Sequence, residues 1–457
     1  MKPDPEELLR LAYRLRGSGH FADLFLEETC EQRLHLRPDG TILRQEKRQS
    51  GTALRVWPRP EEVRFHWIEG TDPEAIRSAI ETHRLPGSSS LPSDYRIVRV
   101  SLPAKTPETV GLSSQDIPHT LKALQLLLQD SLPGLIGLEA TVLLHHRHKY
   151  IAHTEGLFVA EPLTLWTVRV EAQQRSPKGL LRGTFLDGGA GPARWLDLPE
   201  RVLRGLIEEL EQERETYPLR PGAYPALFGP GSTGMLWHEA LGHRVEADVW
   251  SAGGGRPALG SRIASEAVTI WDEGTARAGD VGLFDDEGTP RQRTLLITRG
   301  RLVDLLTDRL WSARLNRRPT GNGRRASFRD PPLPRMTNTV FAPGPHEPNA
   351  LLEGIETGLW ILRLGSGGLL PRSARLWFEV LRAYWVEKGR PRYPVHPFRI
   401  IASSSQLLRE VLAVGSDLQW ATGYGWCVKA GQVVPVCAAA PSVFIRRIPV
   451  RAPNRHL

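Results

Sequence analysis

An α+β fold is predicted for this chain of 457 residues, on three observations. The amino-terminal half mixes capped amphipathic helices with segments of alternating apolar residues. The carboxyl-terminal half is dominated by short apolar runs between glycine turns, the pattern of a large curved or barrel-like sheet. One helix in that second half, around residues 235–246, is dense in histidine and glutamate. The length exceeds a single typical core. The best boundary is Tyr217-Pro218-Leu219-Arg220-Pro221-Gly222. It divides an α/β region at 1–220, with possible subdomains near 1–105 and 106–220, from a β-rich catalytic region at 221–457.

In chain order, Asp4-Pro5-Glu6-Glu7 opens a helix with an N-cap acid, proline at the first helical position and acids at the positive dipole end. Leu8, Leu11, Ala12 and Leu15 form its stripe, and Gly17 ends it. Strand-like segments follow at 22–27, 33–36, 52–57 and 63–68, with Asp39-Gly40 as a hairpin turn. Asp72-Pro73-Glu74 starts a second helix, a polar loop is expected at 87–93, and a third helix at 114–128 carries Leu121, Leu124, Leu127 and Leu128. Strands are expected at 140–144, 149–152 and 163–170, then a charged helix at 199–214. For His145, His146, His148 and His153 a metal role is one reading, but exposed imidazoles on a strand and its hairpin turn are the preferred one, since no carboxylate or cysteine completes a metal set. Beyond the boundary, strands are expected at 224–228, 267–271, 294–298, 302–306, 340–341, 351–364, 376–385 and 398–402, and a helix at 406–412.

Composition narrows the class. Three cysteines cannot build a disulfide framework. There is no apolar run of about 18 residues, so no membrane span is expected. The start lacks the apolar run of a secretory signal, and a cytoplasmic location is expected. A net charge of +8 invites a nucleic-acid partner, yet acids are interleaved almost everywhere and most of the 13 tryptophans sit in core-like alternation. The concentrated basic segment comprises Arg314, Arg317, Arg318, Arg324, Arg325, Arg329 and Arg335. It reads either as a solvated loop with internal salt bridges or as an anion site, with Arg324 or Arg325 the best candidates to bind a carboxylate or oxyanion.

The chemistry-bearing run is Trp237-His238-Glu239-Ala240-Leu241-Gly242-His243-Arg244-Val245-Glu246. Neutral imidazoles hold zinc, and a neighbouring carboxylate takes a proton from water. The histidines are five apart rather than the four that place them on one helix face. At ~100° per residue an ideal helix would turn them ~140° apart. Joint ligation therefore requires a distortion, a π-type widening or a bend, and Gly242 is the most tolerant site for it. The preceding Gly229-Pro230-Gly231-Ser232-Thr233-Gly234 has the spacing of a dinucleotide loop but is followed by no βαβ repeat; it reads as a close turn into the helix. Cys427 is either a thiolate ligand or a buried apolar cysteine.

The carboxyl-terminal half resembles the TldD/PmbA family of peptidases. The His238–Glu246 run resembles its HExxxH motif. Asp285-Asp286-Glu287-Gly288-Thr289-Pro290, Pro319-Thr320-Gly321-Asn322-Gly323-Arg324-Arg325 and Pro334-Arg335-Met336-Thr337-Asn338-Thr339 resemble other signature runs in the same order. Gly425-Trp426-Cys427-Val428-Lys429-Ala430-Gly431-Gln432 is similar to the family's G-x-C-G-K-x-G-Q segment, departing from it at Val428. The resemblance implies a zinc ion held by His238, His243 and Cys427, with Glu239 as general base. It also implies an extended peptide substrate bound as an added strand, and either a homodimer or a pairing with a TldE/PmbA-like subunit. Glu246 reads as a hydrogen-bond partner of an imidazole or a structural ion-pair member rather than a fourth ligand. The alternative is a non-proteolytic regulatory protein, acting on nucleic acid or gyrase, with structural zinc.

Overall fold

The computed structural model describes residues 3–86, 94–100, 116–177, 179–191, 197–231, 233–253, 257–275, 282–370 and 375–451. The polar loop expected at 87–93 and Ser232 of the glycine-rich turn lie outside them.

The amino-terminal half is one long, largely antiparallel sheet with helices on one face. Helix α1 (Pro5–Arg16) starts where expected: the Asp4 side chain accepts from Glu6 N, and the Gly17 N–H caps Tyr13 O. Strands β1 (Phe21–Leu36), β2 (Ile42–Arg59) and β3 (Glu62–Glu69) form a meander. Helix α2 (Pro73–His83) is capped by Asp72. After β4 (Arg96–Arg99) and helix α3 (Ile117–Ser131) come β5 (Leu135–His153), β6 (Leu157–Ser176), β7 (Gly179–Ala190) and helix α4 (Leu198–Glu213). The sheet order is β3-β2-β1-β5-β6-β4, with β7 also on β6. Because β1 pairs with β5 from Asp23–His153 to Leu36–Ala140, residues before and after 105 share one sheet rather than forming two subdomains.

Alternation decides which face each helix covers. Leu24, Leu26, Leu54 and Ala152 bury against α1 and α2, while Leu34, Leu36, Val142 and Val168 bury against α3 and α4. Intervening residues point to the opposite face, where Phe25, Ala53, Ile151 and Val159 surround Phe328 from the carboxyl-terminal half. His153 lies on this covered face, buried at 2 % exposure, so the expectation of an exposed imidazole fails there.

The second half begins with β8 (Gly222–Phe228), helix α5 (Gly234–Leu241), a 3₁₀ turn (Gly242–Val245) and helix α6 (Ala247–Ala252). Then follow β9 (Ile270–Glu273), β10 (Arg293–Thr298), β11 (Arg301–Leu302), helix α7 (Arg309–Leu315), β12 (Gly323–Arg324), β13 (Leu333–Pro334), β14 (Asn338–Phe341) and helix α8 (Pro348–Glu353). The series ends with β15 (Thr357–Leu369), β16 (Arg375–Glu387), β17 (Arg390–Pro394), β18 (Phe398–Ser403), helix α9 (Ser404–Arg409), β19 (Val411–Val414), β20 (Gln419–Trp420), β21 (Gly425–Lys429), β22 (Gln432–Ala440) and β23 (Val443–Arg451). Two expectations are corrected. Leu351–Glu353 belongs to α8, because Glu347 accepts from Ala350 N and Pro348 sits at the helix start. The helix expected at 406–412 starts and stops earlier, and Val411 onward is strand β19.

Strands β15, β8, β23, β18 and β16 pair in turn, and β16 pairs back with β15, closing a five-stranded barrel. A second sheet runs β11-β10-β9-β14-β22-β20, with β21 as a hairpin partner of β22. Helix α5 lies between the two. Its Trp237, with no exposed surface, packs edge-on to Phe228 of the barrel at 6.5 Å and to Phe341 of the second sheet at 4.8 Å. Truncating a side chain so placed costs about 3–5 kcal/mol. Gly234 permits the close approach, since a Cβ there would lie 2.9 Å from Ala438 Cβ.

Among the described residues no helix is long and apolar enough to cross a membrane.

Candidate metal centre

The five-residue histidine spacing is resolved by a break. Helix α5 ends at Leu241, where φ stretches to −116° at a ψ of −50°, and the next turn tightens to 3₁₀ instead of widening to a π-bulge. The two imidazoles meet with ring centroids 5.6 Å apart and planes at 81°. Gly242 is required here for space and not for φ, which is an ordinary −52°. A Cβ on it would fall 1.6 Å from Met336 Sδ.

Cys427 on β21 completes the group. One donor atom each from His238, His243 and Cys427 lies within 4.8 Å of the others, and Cys427 Sγ is 3.4 Å from His243 Nε2. Both Nδ1 atoms face away, into the protein. His238 Nδ1 is 3.1 Å from Thr339 Oγ1, and His243 Nδ1 is 3.0 Å from Glu246 Oε2. An Nδ1–H donating to these acceptors leaves each Nε2 lone pair for a metal. His238 Nε2 is fully buried without a hydrogen-bond partner, a costly state for a polar atom that a metal would relieve. Two imidazole nitrogens and one thiolate are a zinc-type donor set, so these residues fit the ion.

Without a metal, the local charges favour a thiolate at Cys427 and a proton on His243. Burial pushes the Cys427 thiol up, but the nearby imidazoles of His238 and His243 outweigh it and bring it down to about 4. For His243, burial opposes the charge, yet Glu246 and Cys427 raise it to about 11. A metal arriving at Nε2 therefore displaces a proton. Glu246 has no exposed surface; burial alone would raise it, and His243 and Lys429 hold it below the usual carboxylate range. Glu246 Oε2 lies 3.0 Å from both His243 Nδ1 and Lys429 Nζ. Glu239 is half-buried on α5, next to His238 in sequence.

Arg324 and Arg325 are not brought to this centre. Both are about 1 % exposed. The Arg324 guanidinium donates to the carbonyls of Met336 and Pro435, tying β14's approach to β22. Arg325 stacks 4.2 Å over Phe25 and donates to Asp286 O. Within this basic segment Arg317 pairs with Asp304 at 2.7 Å, Arg329 pairs with Glu69 of β3 at 2.5 Å, and the Phe328 N–H donates to Glu27 of β1. Beside it, arginines of the amino-terminal sheet reach across in the same way: Arg55 of β2 pairs with Asp23 and Glu287, and Arg147 of β5 with Glu27 at 2.6 Å and Asp286 at 3.3 Å. The segment is an interlock between the amino-terminal sheet and the second half, in place of the open anion site considered above.

Sequence reasoning passed over Thr339, Met336 and Lys429 as individuals and read Arg335 only as part of the basic segment. All four lie in the signature runs quoted above, which was the available signal. Arg335 donates to Cys427 O at 2.6 Å, and Lys429 reaches Glu246 at 3.0 Å. It also missed that β1 lays Cys30 and Glu28 directly opposite His146 and His148. These four line an open cavity of about 490 Å³, but the His146 and His148 Nδ1 atoms turn to Thr164 and Tyr150.

A sequence model of the "PmbA/TldA metallopeptidase C-terminal domain" matches residues 221–452. The chain belongs to the PmbA/TldD family. A "Metalloprotease TldD homolog" from Buchnera aphidicola (Schizaphis graminum) is 34 % identical over 232 residues, covering 50 % of this chain and 48 % of that protein. A "Zinc metalloprotease TldD homolog" from Saccharolobus solfataricus is 30 % identical over 252 residues, covering 55 % and 56 %. The match thus spans about half the length of these relatives. In three dimensions the likeness extends further: TldE from Thermococcus kodakarensis superposes over 98 % of this chain and 99 % of its own, with a TM-score of 0.73 at 18 % identity. The PmbA/TldD fold therefore covers the amino-terminal sheet as well as the matched region.

Proposed function

We propose that the chain is a zinc-dependent peptidase that hydrolyses extended or unfolded peptides with loose sequence preference. The observation that carries this reading is the convergence of His238, His243 and Cys427 donor atoms within 4.8 Å, with Glu239 on the same helix. Zinc held there would supply a Lewis acid for a peptide carbonyl and lower the pKa of water. Glu239 accepts a proton at a carboxylate oxygen from the attacking water and returns it to the departing amine nitrogen. Thr339 and Glu246 hold the imidazoles in the tautomer that presents Nε2. Arg335, through Cys427 O, fixes the strand that bears the sulfur. The relatives named as metalloproteases support the same chemistry, and the proposal includes assembly as a homodimer or with a TldE/PmbA-like subunit.

The test is cleavage of an unfolded peptide by the zinc-loaded chain, alone and with such a subunit, before and after chelation. Cleavage lost to chelator and restored by zinc is expected. A zinc-loaded protein that cuts nothing in either assembly, and binds DNA tightly and salt-sensitively, would transfer the assignment to the regulatory alternative.

A further inference from the structure

The thiolate ligand and the two imidazoles come from elements with no backbone pairing between them. Cys427 lies on β21, which among the described residues pairs only with β22, whereas His238 and His243 lie on α5 and the 3₁₀ turn after it. Something must fix the sulfur against the imidazoles, because a misplacement of about 1 Å is enough to impair such a site. Alternation along β21 places Lys429 on the face of Cys427, with Val428 pointing the other way at 63 % exposure.

The Lys429 ammonium is a node between three separate elements. It lies 3.0 Å from Glu246 Oε2, the oxygen that also meets His243 Nδ1. It lies 2.7 Å from Asp248 Oδ1 on α6 and donates at 2.7 Å to Pro334 O on β13. The Lys429 side chain is 11 % exposed and that of Glu246 is not exposed at all, so the contact is not a solvent-screened surface pair. Three N–H donors of one ammonium thus match three acceptors.

We propose that Lys429 is a positioning residue that clamps the thiolate-bearing hairpin to the turn bearing His243, and so sets the geometry of the whole donor set. This rests on the metallopeptidase reading and deepens it. Losing the ammonium would free the hairpin from α6 and leave Glu246 buried beside His243 alone. Through Glu246 the same loss would loosen the orientation of the imidazole. Supporting contacts of this kind are typically worth 10–100-fold in metal affinity.

Cobalt titration of the full apo-chain reads this directly, because a Cys427–cobalt bond produces a thiolate charge-transfer band that a merely structural role would not move. For Lys429→Met, cobalt affinity weaker by about 10–100-fold and a diminished band are expected, with partial restoration in Lys429→Arg, which keeps the charge. Wild-type affinity and an unchanged band in Lys429→Met overturn the inference while leaving the metal reading intact. A wild-type chain lacking the band overturns the metal reading, and the inference with it. Should Lys429→Met fail to fold by circular dichroism, Asp248→Asn carries the test: a several-fold loss of affinity supports the clamp, and none overturns it.

Discussion

Gly242→Ala is the most discriminating single change in this molecule, because it asks whether the helix break depends on the missing side chain. The added methyl would fall 1.6 Å from Met336 Sδ, 2.6 Å from its Cε and 3.1 Å from its Cγ. Met336 is flexible but fully buried, so it cannot swing into solvent. Overpacking of this type costs about 1–3 kcal/mol. Against it stands a gain of up to about 1 kcal/mol, since alanine is the better helix former and φ is already helical. The net expectation is a destabilisation of about 1–2 kcal/mol. At about 2–4 °C per kcal/mol for a domain of this size, that lowers the melting midpoint by roughly 2–8 °C. Calorimetry on wild type, Gly242→Ala, Met336→Ala and the double variant provides a cycle. The double variant should lose at least about 1 kcal/mol less than the two single losses together, because the new methyl enters space vacated by the sulfur. A Gly242→Ala midpoint at or above that of wild type, or strict additivity, would show that Met336 and Gly242 do not shape the break.

Three further outcomes are expected. Glu239→Gln should keep its zinc while peptide cleavage falls by about 10²–10⁴-fold, the usual worth of a general base; turnover near wild type would remove the residue from that role. Thr339→Val keeps the shape but takes the acceptor from His238 Nδ1, and zinc affinity by competition with a chelator should weaken about 10–100-fold; an unchanged affinity refutes the orienting role. Burial, followed by Arg309 and Arg55, holds the His153 pKa well below 6.5. The unfolded chain therefore binds a proton below about pH 6.5 that the folded chain does not, so stability falls as pH drops through that value towards the folded pKa. His153→Gln should flatten the decline of the melting midpoint between pH 7 and 5, by up to about 1.4 kcal/mol per pH unit, and an acid sensitivity equal to wild type would refute the assignment.

Much of the local structure was legible in the sequence because its causes are local. Asp4 and Asp72 cap helices through neighbours two and three residues away, and Gly40 turns a hairpin at φ 82°. The barrel-like character of the second half followed from turn spacing, although closure by β16 on β15 did not. Helix α8 was misread although Glu347-Pro348 is a regular cap, because apolar residues on both sides read as one continuous run. The donor triad could be named only by resemblance, since nothing about Cys427 in sequence separates a ligand from a core cysteine. The arginine-rich segment misled for a related reason. A basic run looks solvated when what meets it lies elsewhere, and the Glu69 that pairs with Arg329 and the Glu27 that accepts from Phe328 N lie on strands more than two hundred residues earlier. Helix direction at Gly242 required Met336, whose presence there only the packing of β14 against α5 reveals.

Cys427 follows His243 by 184 residues, and this separation has a consequence for synthesis. The chain grows from its amino terminus, so both imidazoles and the adjacent carboxylate are made long before the sulfur. During all that time β22, which carries the parallel partner of Asn338, and β23, which closes the barrel against β8, are also missing. A nascent chain therefore presents His238-Glu239 without the third ligand and without the sheet that seats α5. A growing polypeptide is itself an extended, unfolded peptide, the very substrate proposed for the finished protein. The thiolate that would complete the proposed donor set is thus the last of its groups to be made.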